Sequence, residues 1–281
     1  MRIRTMTEED LDFAAARTTA EGWRNETRED FENFLAHDSE GCLIAEEEGG
    51  PIGIGVATAY RDSGFIGELI VLPERRGRGV GAKLLGAALE HLERRGVRSV
   101  LLDGVPGAVR LYERAGFRPV CRSLRFTGLI EGETHGRVRP MEEKDWDAVR
   151  AMDREAFGED RSFFLRRRFE RAPELCLVLA PKEEILGFVI GRYGDGIVSA
   201  SPWIARPGSY CPADLLRALA REAPDTPIEL GVLESNGVAI GELRASGFEE
   251  KPTSSLRMVR GPSGDLGAAP ACFSIGTAAK G

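Results

Sequence analysis

Pro73-Glu74-Arg75-Arg76-Gly77-Arg78-Gly79-Val80-Gly81-Ala82 is a glycine-spaced turn between two apolar segments of different period. Before it, Phe65-Ile66-Gly67-Glu68-Leu69-Ile70-Val71-Leu72 has the β-branched content of a buried strand. After it, Val80, Leu84, Leu85, Ala88, Leu89 and Leu92 fall on one helical stripe, with Gly96 placed to end the helix. A strand, a tight turn and a helix start together make an anion socket. Backbone N–H groups and the positive helix end converge there, and glycine lets an anion approach the main chain. Arg76 and Arg78 add charge at the rim. The expected ligand carries a phosphate or diphosphate.

Spacing separates the candidate phosphate sites. A nucleotide P-loop needs a Lys-Ser/Thr pair after its glycines, and none follows here. A dinucleotide fingerprint fits Gly77, Gly79 and Ala82 by spacing, and Asp103 closes the next apolar run, Ser99-Val100-Leu101-Leu102. Against it, Pro73 to Arg76 intervene between strand and glycines, where that fingerprint turns at once. The third reading is a resemblance. Arg76-Gly77-Arg78-Gly79-Val80-Gly81 is similar to the Arg/Gln-x-x-Gly-x-Gly/Ala signature of the GNAT superfamily of N-acetyltransferases. Downstream, Ala108-Val109-Arg110-Leu111-Tyr112-Glu113-Arg114-Ala115-Gly116-Phe117 resembles that family's Ala-x-x-Leu-Tyr-x-x-x-Gly-Phe segment. One position departs: Val105 stands where the family often has a coenzyme-binding asparagine.

The resemblance implies a mixed α/β sheet flanked by helices and a coenzyme A thioester as co-substrate. It puts the diphosphate on Arg76, Gly77, Arg78, Gly79, Val80, Gly81 and Ala82. The pantetheine arm would lie against the main chain of Leu69, Ile70 and Val71, in a gap where two strands splay. Tyr112 would face the coenzyme sulfur and protonate it as it leaves; the alternative is a tyrosine packed for its ring alone. An ammonium must lose a proton before it can attack, so a carboxylate at the cleft is wanted. Glu68, which interrupts the apolar strand, is the candidate; the alternative is a solvent-facing strand residue. The acceptor loop would be residues 18–27, with Trp23 as a pocket wall or a core anchor. Glu26 is read as part of an acidic helix start rather than as a cation-attracting group.

The chain also contains its own pattern twice. Arg2-Ile3-Arg4-Thr5-Met6-Thr7-Glu8-Glu9-Asp10-Leu11-Asp12 recurs as Arg137-Val138-Arg139-Pro140-Met141-Glu142-Glu143-Lys144-Asp145-Trp146-Asp147, an offset of 135. The Gly-Phe segment recurs at Gly247-Phe248, an offset of 131. Tandem domains of one fold are therefore expected, at 1–130 and 137–261, followed by a tail at 262–281. The second copy has Asn236 but carries Leu243 at the tyrosine position, and Ile204 to Leu216 keeps one glycine and two prolines in place of the turn. It reads as a degenerate scaffold without cofactor.

Composition sets the outer limits. With 281 residues, 42% hydrophobic and 30% charged, the chain has core material for two soluble domains. A net charge of −7 argues against nucleic acid and suits a cationic amine. Five scattered cysteines and three separated histidines point to no metal site and no disulfide framework. No apolar run spans a membrane, and Met1 leads into Arg2-Ile3-Arg4 rather than a leader, so the expected setting is cytoplasmic, as monomer or homodimer. The expected activity is direct acetyl transfer from acetyl-coenzyme A (acetyl-CoA) to the primary amine of a small molecule or amino acid. The alternatives are a non-catalytic acyl-CoA sensor or scaffold and an NAD-dependent oxidoreductase.

Overall fold

Short runs of β-branched and aliphatic residues form strands, and 3.6-residue apolar stripes between them form helices. The computed structural model describes residues 1–23, 26–133, 136–209, 211–262, 265–277 and 280–281. Arg24 and Asn25 of the expected acceptor loop, and Tyr210 of the second-copy turn, lie outside the described residues. The first half runs β1 (Arg2–Thr5), α1 (Leu11–Ala20), α2 (Arg28–Asp38), β2 (Cys42–Glu47), β3 (Gly50–Ala59), β4 (Ser63–Val71), α3 (Val80–Arg94), β5 (Ser99–Gly104), α4 (Val109–Arg114) and β6 (Arg118–Gly128). The second half runs β7 (Val138–Pro140), α5 (Trp146–Phe157), α6 (Ser162–Arg171), β8 (Cys176–Leu179), β9 (Gly187–Gly194), β10 (Ile197–Ala205), α7 (Asp214–Glu222), β11 (Ile228–Leu233), α8 (Gly237–Ala245), β12 (Glu249–Glu250), β13 (Ser255–Arg260) and β14 (Cys272–Ser274).

The chain folds as two units whose boundaries differ from those expected at 130 and 137. The first comprises Met1–Val120, Leu256–Gly264 and Ala278–Gly281; the second comprises Cys121–Ser255 and Asp265–Thr277. In the first, the strand order is β1-β2-β3-β4-β5-β13, antiparallel except for the parallel β4–β5 pair. In the second, the order β7-β8-β9-β10-β11-β6 repeats the same directions, with β10–β11 as the parallel pair. Each unit thus takes its last strand from the other half of the sequence. The two exchanged strands are near copies: Ser123-Leu124-Arg125-Phe126 in β6 and Ser255-Leu256-Arg257-Met258 in β13. Strands of similar pattern offer a sheet edge the same side-chain faces, so either satisfies the same backbone groups.

In the first unit α3 buries Val80, Leu84, Leu85, Ala88, Leu89 and Leu92 against the sheet, the stripe read from sequence. Burial of each larger side chain stabilises by roughly 1.5–3 kcal/mol. β13 closes the unit through Arg257, whose Nε donates to Asp103 Oδ1 at 2.5 Å with both side chains at 0% exposure. The guanidinium also lies 5.0 Å from the Phe65 ring centre. Cys42 and Cys176 are core residues whose thiols burial pushes up to about 12, which removes them as thiolate nucleophiles.

Candidate active site

The site begins where β4 stops pairing with β5. Their parallel register runs from Ser63↔Ser99 to Ile66↔Leu102 and goes no further among the described residues. On its other side β4 stays with β3, through Val56↔Gly67 and then Ile54↔Ile70. Glu68 and Leu69 therefore face Gly55 alone, a bulge of two residues against one that bends the strand. Glu68 adopts φ +52°, a left-handed conformation uncommon for a residue with a Cβ. Beyond the bulge, the β5-side edge of Leu69, Ile70 and Val71 is not paired to β5, and these are the residues expected to line the pantetheine arm.

At the far end of that edge stands the start of α3. Gly79 is its N-cap at φ +79° and Gly77 lies at φ +74°, values that glycine adopts without steric cost. A Cβ built at either position meets nothing within 4 Å, so glycine is required there by backbone conformation rather than by crowding. Gly79 has no side chain to cap the helix, and the first turn of α3 has no acidic residue, whereas the first turns of α1 and α2 do. The leading N–H groups of α3, at Val80, Gly81 and Ala82, therefore remain available to an anion. Arg78 is exposed at the rim. Arg76 instead folds back: its Nε donates to the Val71 carbonyl at 2.9 Å and its guanidinium pairs with Glu21. The donor set at the helix start fits a diphosphate, and the unpaired strand edge leading to it fits a slender arm.

Tyr112, on α4, is 7% exposed and meets Phe117 edge-on at 6.1 Å. Its ring lies 3.0 Å from where a Cβ on Gly104 would stand, so glycine at the end of β5 makes room for it. Burial pushes the phenol up to about 12, keeping it protonated through the neutral range.

Glu68 is fully enclosed at 3% exposure, and its Oε2 lacks a hydrogen-bond partner, which rules out the solvent-facing alternative. Desolvation holds its carboxyl well above the usual range; Glu26 and Asp30 push the same way and Lys280 opposes them. These neighbours form a cluster with no counterpart in any local sequence pattern. Lys280 Nζ lies 3.7 Å from Glu26 Oε2 and 3.9 Å from Asp30 Oδ1, and 4.5 Å from the Phe34 ring centre. The Lys280 carbonyl accepts a 2.6 Å hydrogen bond from the Tyr60 hydroxyl. Asp30 is also the capping partner of Thr27, whose N–H and hydroxyl both donate to its Oδ2 at 2.9 Å. Glu26, read as an ordinary helix-start acid, is 5% exposed and belongs to this cluster. Trp23 is half-buried in the loop after α1, its amide donating to the Thr18 carbonyl at 2.9 Å. Asp103, the acid a dinucleotide site would need, is consumed by Arg257.

The second unit repeats the splay and fills it. β10 pairs in parallel with β11 only at Val198↔Ile228 and Ser199↔Glu229. Further along, Trp203 and Ile204 of β10 pair with Ser274 and Cys272 of β14, and the Ile275 amide donates to the Gly231 carbonyl at 3.0 Å. Phe273 packs on Trp203 at 4.8 Å. The place of a coenzyme arm is taken by the chain itself. Asn236 is structural: its Oδ1 caps Ala239, and its Nδ2 donates to the Cys272 carbonyl at 2.9 Å. Leu243 is wholly buried.

Comparison with known proteins agrees with this arrangement. The family profile described as Acetyltransferase (GNAT) family matches residues 5–117, and an Acetyltransferase (GNAT) domain profile matches residues 149–266. A holothin acyltransferase from Pseudoalteromonas is 26% identical over 242 residues, 84% of this chain and 81% of its own length. A mycothiol acetyltransferase from Propionibacterium freudenreichii is 34% identical over 134 residues, 42% of each chain. The crystal structure of a candidate acetyltransferase from Pyrococcus horikoshii superposes with a TM-score of 0.80 at 25% identity, covering 100% of this chain and 95% of that one. A tandem GNAT protein of the clavulanic acid pathway shares the fold, with a TM-score of 0.61 at 13% identity over 93% of this chain and 99% of its own. With an open strand splay beside a glycine-capped helix in one copy, a filled splay in the other and both halves matched, the chain belongs to the GNAT acetyltransferase family as a tandem-domain acyltransferase.

Proposed function

We propose that the protein is an acetyl-CoA-dependent N-acetyltransferase, acting in the cytoplasm on the primary amine of a small molecule or amino acid. The observation that carries this reading is the unpaired β4 edge at Leu69–Val71, with a helix socket at one end and Glu68 at the bulge before it. The relatives named for acylating holothin and mycothiol support a small-molecule acceptor. Bound acetyl-CoA would supply an activated thioester. The α3 amides at Val80, Gly81 and Ala82, with Arg78, hold the diphosphate. Amides of Leu69 to Val71 orient the arm, and one of them polarises the acyl carbonyl. Glu68 takes the proton that the acceptor ammonium must lose, and the upward displacement of its carboxyl by desolvation makes it a stronger base than an exposed carboxylate. As the new C–N bond forms and the C–S bond breaks, the Tyr112 phenol gives its proton to the sulfur and regains one from solvent.

The second unit acts as a scaffold in this reading, because β14 occupies its splay. The test is release of free thiol from acetyl-CoA across a panel of primary amines, with calorimetry of acetyl-CoA alone. Turnover with one binding site per chain is expected. Binding without turnover would make the protein an acyl-CoA sensor instead.

A further inference from the structure

An ammonium already stands in the carboxylate cluster. Lys280 Nζ is within ion-pair distance of Glu26 and Asp30, over the face of Phe34, and its side chain is 5% exposed. Glu26 belongs to the loop after α1, and Asp30 and Phe34 project from the first two turns of α2. The bulge residue Glu68, which feels all three charges, directly precedes the open β4 edge. The cluster is thus a built cation site beside the open β4 edge: two acidic walls and an aromatic floor, with the buried Glu68 carboxyl close enough to feel its charges. Carboxylates buried at this density need a cation, and a ring face favours an ammonium further.

We propose that Glu26, Asp30 and Phe34 form the acceptor-amine pocket, that it selects a primary ammonium on an unbranched alkyl stem, and that Lys280 occupies it in cis as an internal competitor. This rests on the acyltransferase reading and specifies its substrate class. The Tyr60 hydroxyl anchors the main chain of Lys280, which fixes where its stem begins. An acceptor enters by displacing the Lys280 side chain. A primary –NH3+ fits best between Glu26 and Asp30, which both approach Lys280 Nζ within 4 Å, because its three N–H donors can serve both carboxylates and a quaternary cation has none.

The test is chemical rescue in the full chain. Lys280→Ala removes Cγ to Nζ, the same heavy atoms as n-propylammonium. By calorimetry the variant should bind n-propylammonium at least about tenfold more tightly than the wild type does, with a rise in melting temperature. 1-Propanol and tetramethylammonium should give neither effect, and Lys280→Met, which refills the stem without charge, should gain no affinity. Equal affinity for wild type and Lys280→Ala, or equal binding of 1-propanol, would overturn the proposal. Should Lys280→Ala fail to fold, wild-type protein gives the same answer by mass-spectrometric lysine labelling. Lys280 should react slowly, and faster when n-propylammonium but not 1-propanol is present; fast labelling from the outset sinks the idea. Rescue without acetylation of propylamine by acetyl-CoA would leave the pocket standing and remove the acetyltransferase reading. Acetylation of amines without rescue would do the reverse.

Discussion

Glu68 shows how one residue can be chemically informative and structurally costly. Its backbone is left-handed and its carboxyl is buried, two features that each cost on the order of 1 kcal/mol or more. Its folded-state pKa lies above the usual 4.5, so between that value and the displaced one the folded chain holds a proton that the unfolded chain releases. Stability is therefore unaffected below pH 4.5 and falls as pH rises through the displaced value. Glu68→Gln should raise the melting temperature at pH 8 relative to wild type, with the gap closing towards pH 4. The same variant should lose the acid limb of the kcat/KM profile and at least about tenfold in kcat. A wild-type pH profile in that variant would remove Glu68 as the base. Tyr112→Phe should lower kcat by about 10²-fold with little change in coenzyme affinity, measured by steady-state kinetics and calorimetry. Tyr112 and Glu68 were readable from their places in a helix motif and an apolar strand. The Glu26–Asp30–Lys280 cluster was not, because local pattern carries no signal for a lysine some 250 positions away from its partners.

At the scale of elements, the strand–turn–helix unit was legible almost to the residue. The six-position stripe of α3 is buried as the period requires, and the turn glycines sit at positive φ. The splay between β4 and β5 came from the resemblance, since an apolar strand does not announce where its pairing ends. A pair of glycine substitutions separates backbone demand from helix propensity. Gly79→Ala forces a Cβ into φ +79° and should destabilise by about 1–2 kcal/mol while weakening acetyl-CoA binding. Gly86→Ala lies inside α3 with open space around it and should stabilise by roughly 0.5–1 kcal/mol with no effect on binding. Denaturant melts of the two variants decide both points. Equal effects would mean that the turn's conformation is not what selects glycine.

For the molecule as a whole, duplication was visible in the repeated strand–helix start, whereas the exchange of β6 and β13 was not. Both strands carry Ser-Leu-Arg followed by an apolar residue, and a repeated pattern cannot say which sheet each copy joins. The exchange predicts that residues 1–117 expressed alone, which lack both β13 and its near copy β6, leave the edge of β5 bare and fail to give a dispersed amide NMR spectrum. A folded, monomeric fragment would show that β13 is dispensable. Arg257→Met strands Asp103 without its cation in a fully buried place and should cost about 3–5 kcal/mol by chemical denaturation. The filled splay of the second unit has a thermodynamic corollary. Because Cys272–Ser274 is covalently part of the unit it wedges, its effective concentration never varies, so that half carries a constant share of stability. Among its described residues the first unit shows no such tethered wedge, and on the proposed function it draws the equivalent free energy from dissolved thioester. Hydrogen exchange at rising acetyl-CoA should therefore slow in one half of the chain and stay level in the other, making the protein a gauge with its own fixed reference.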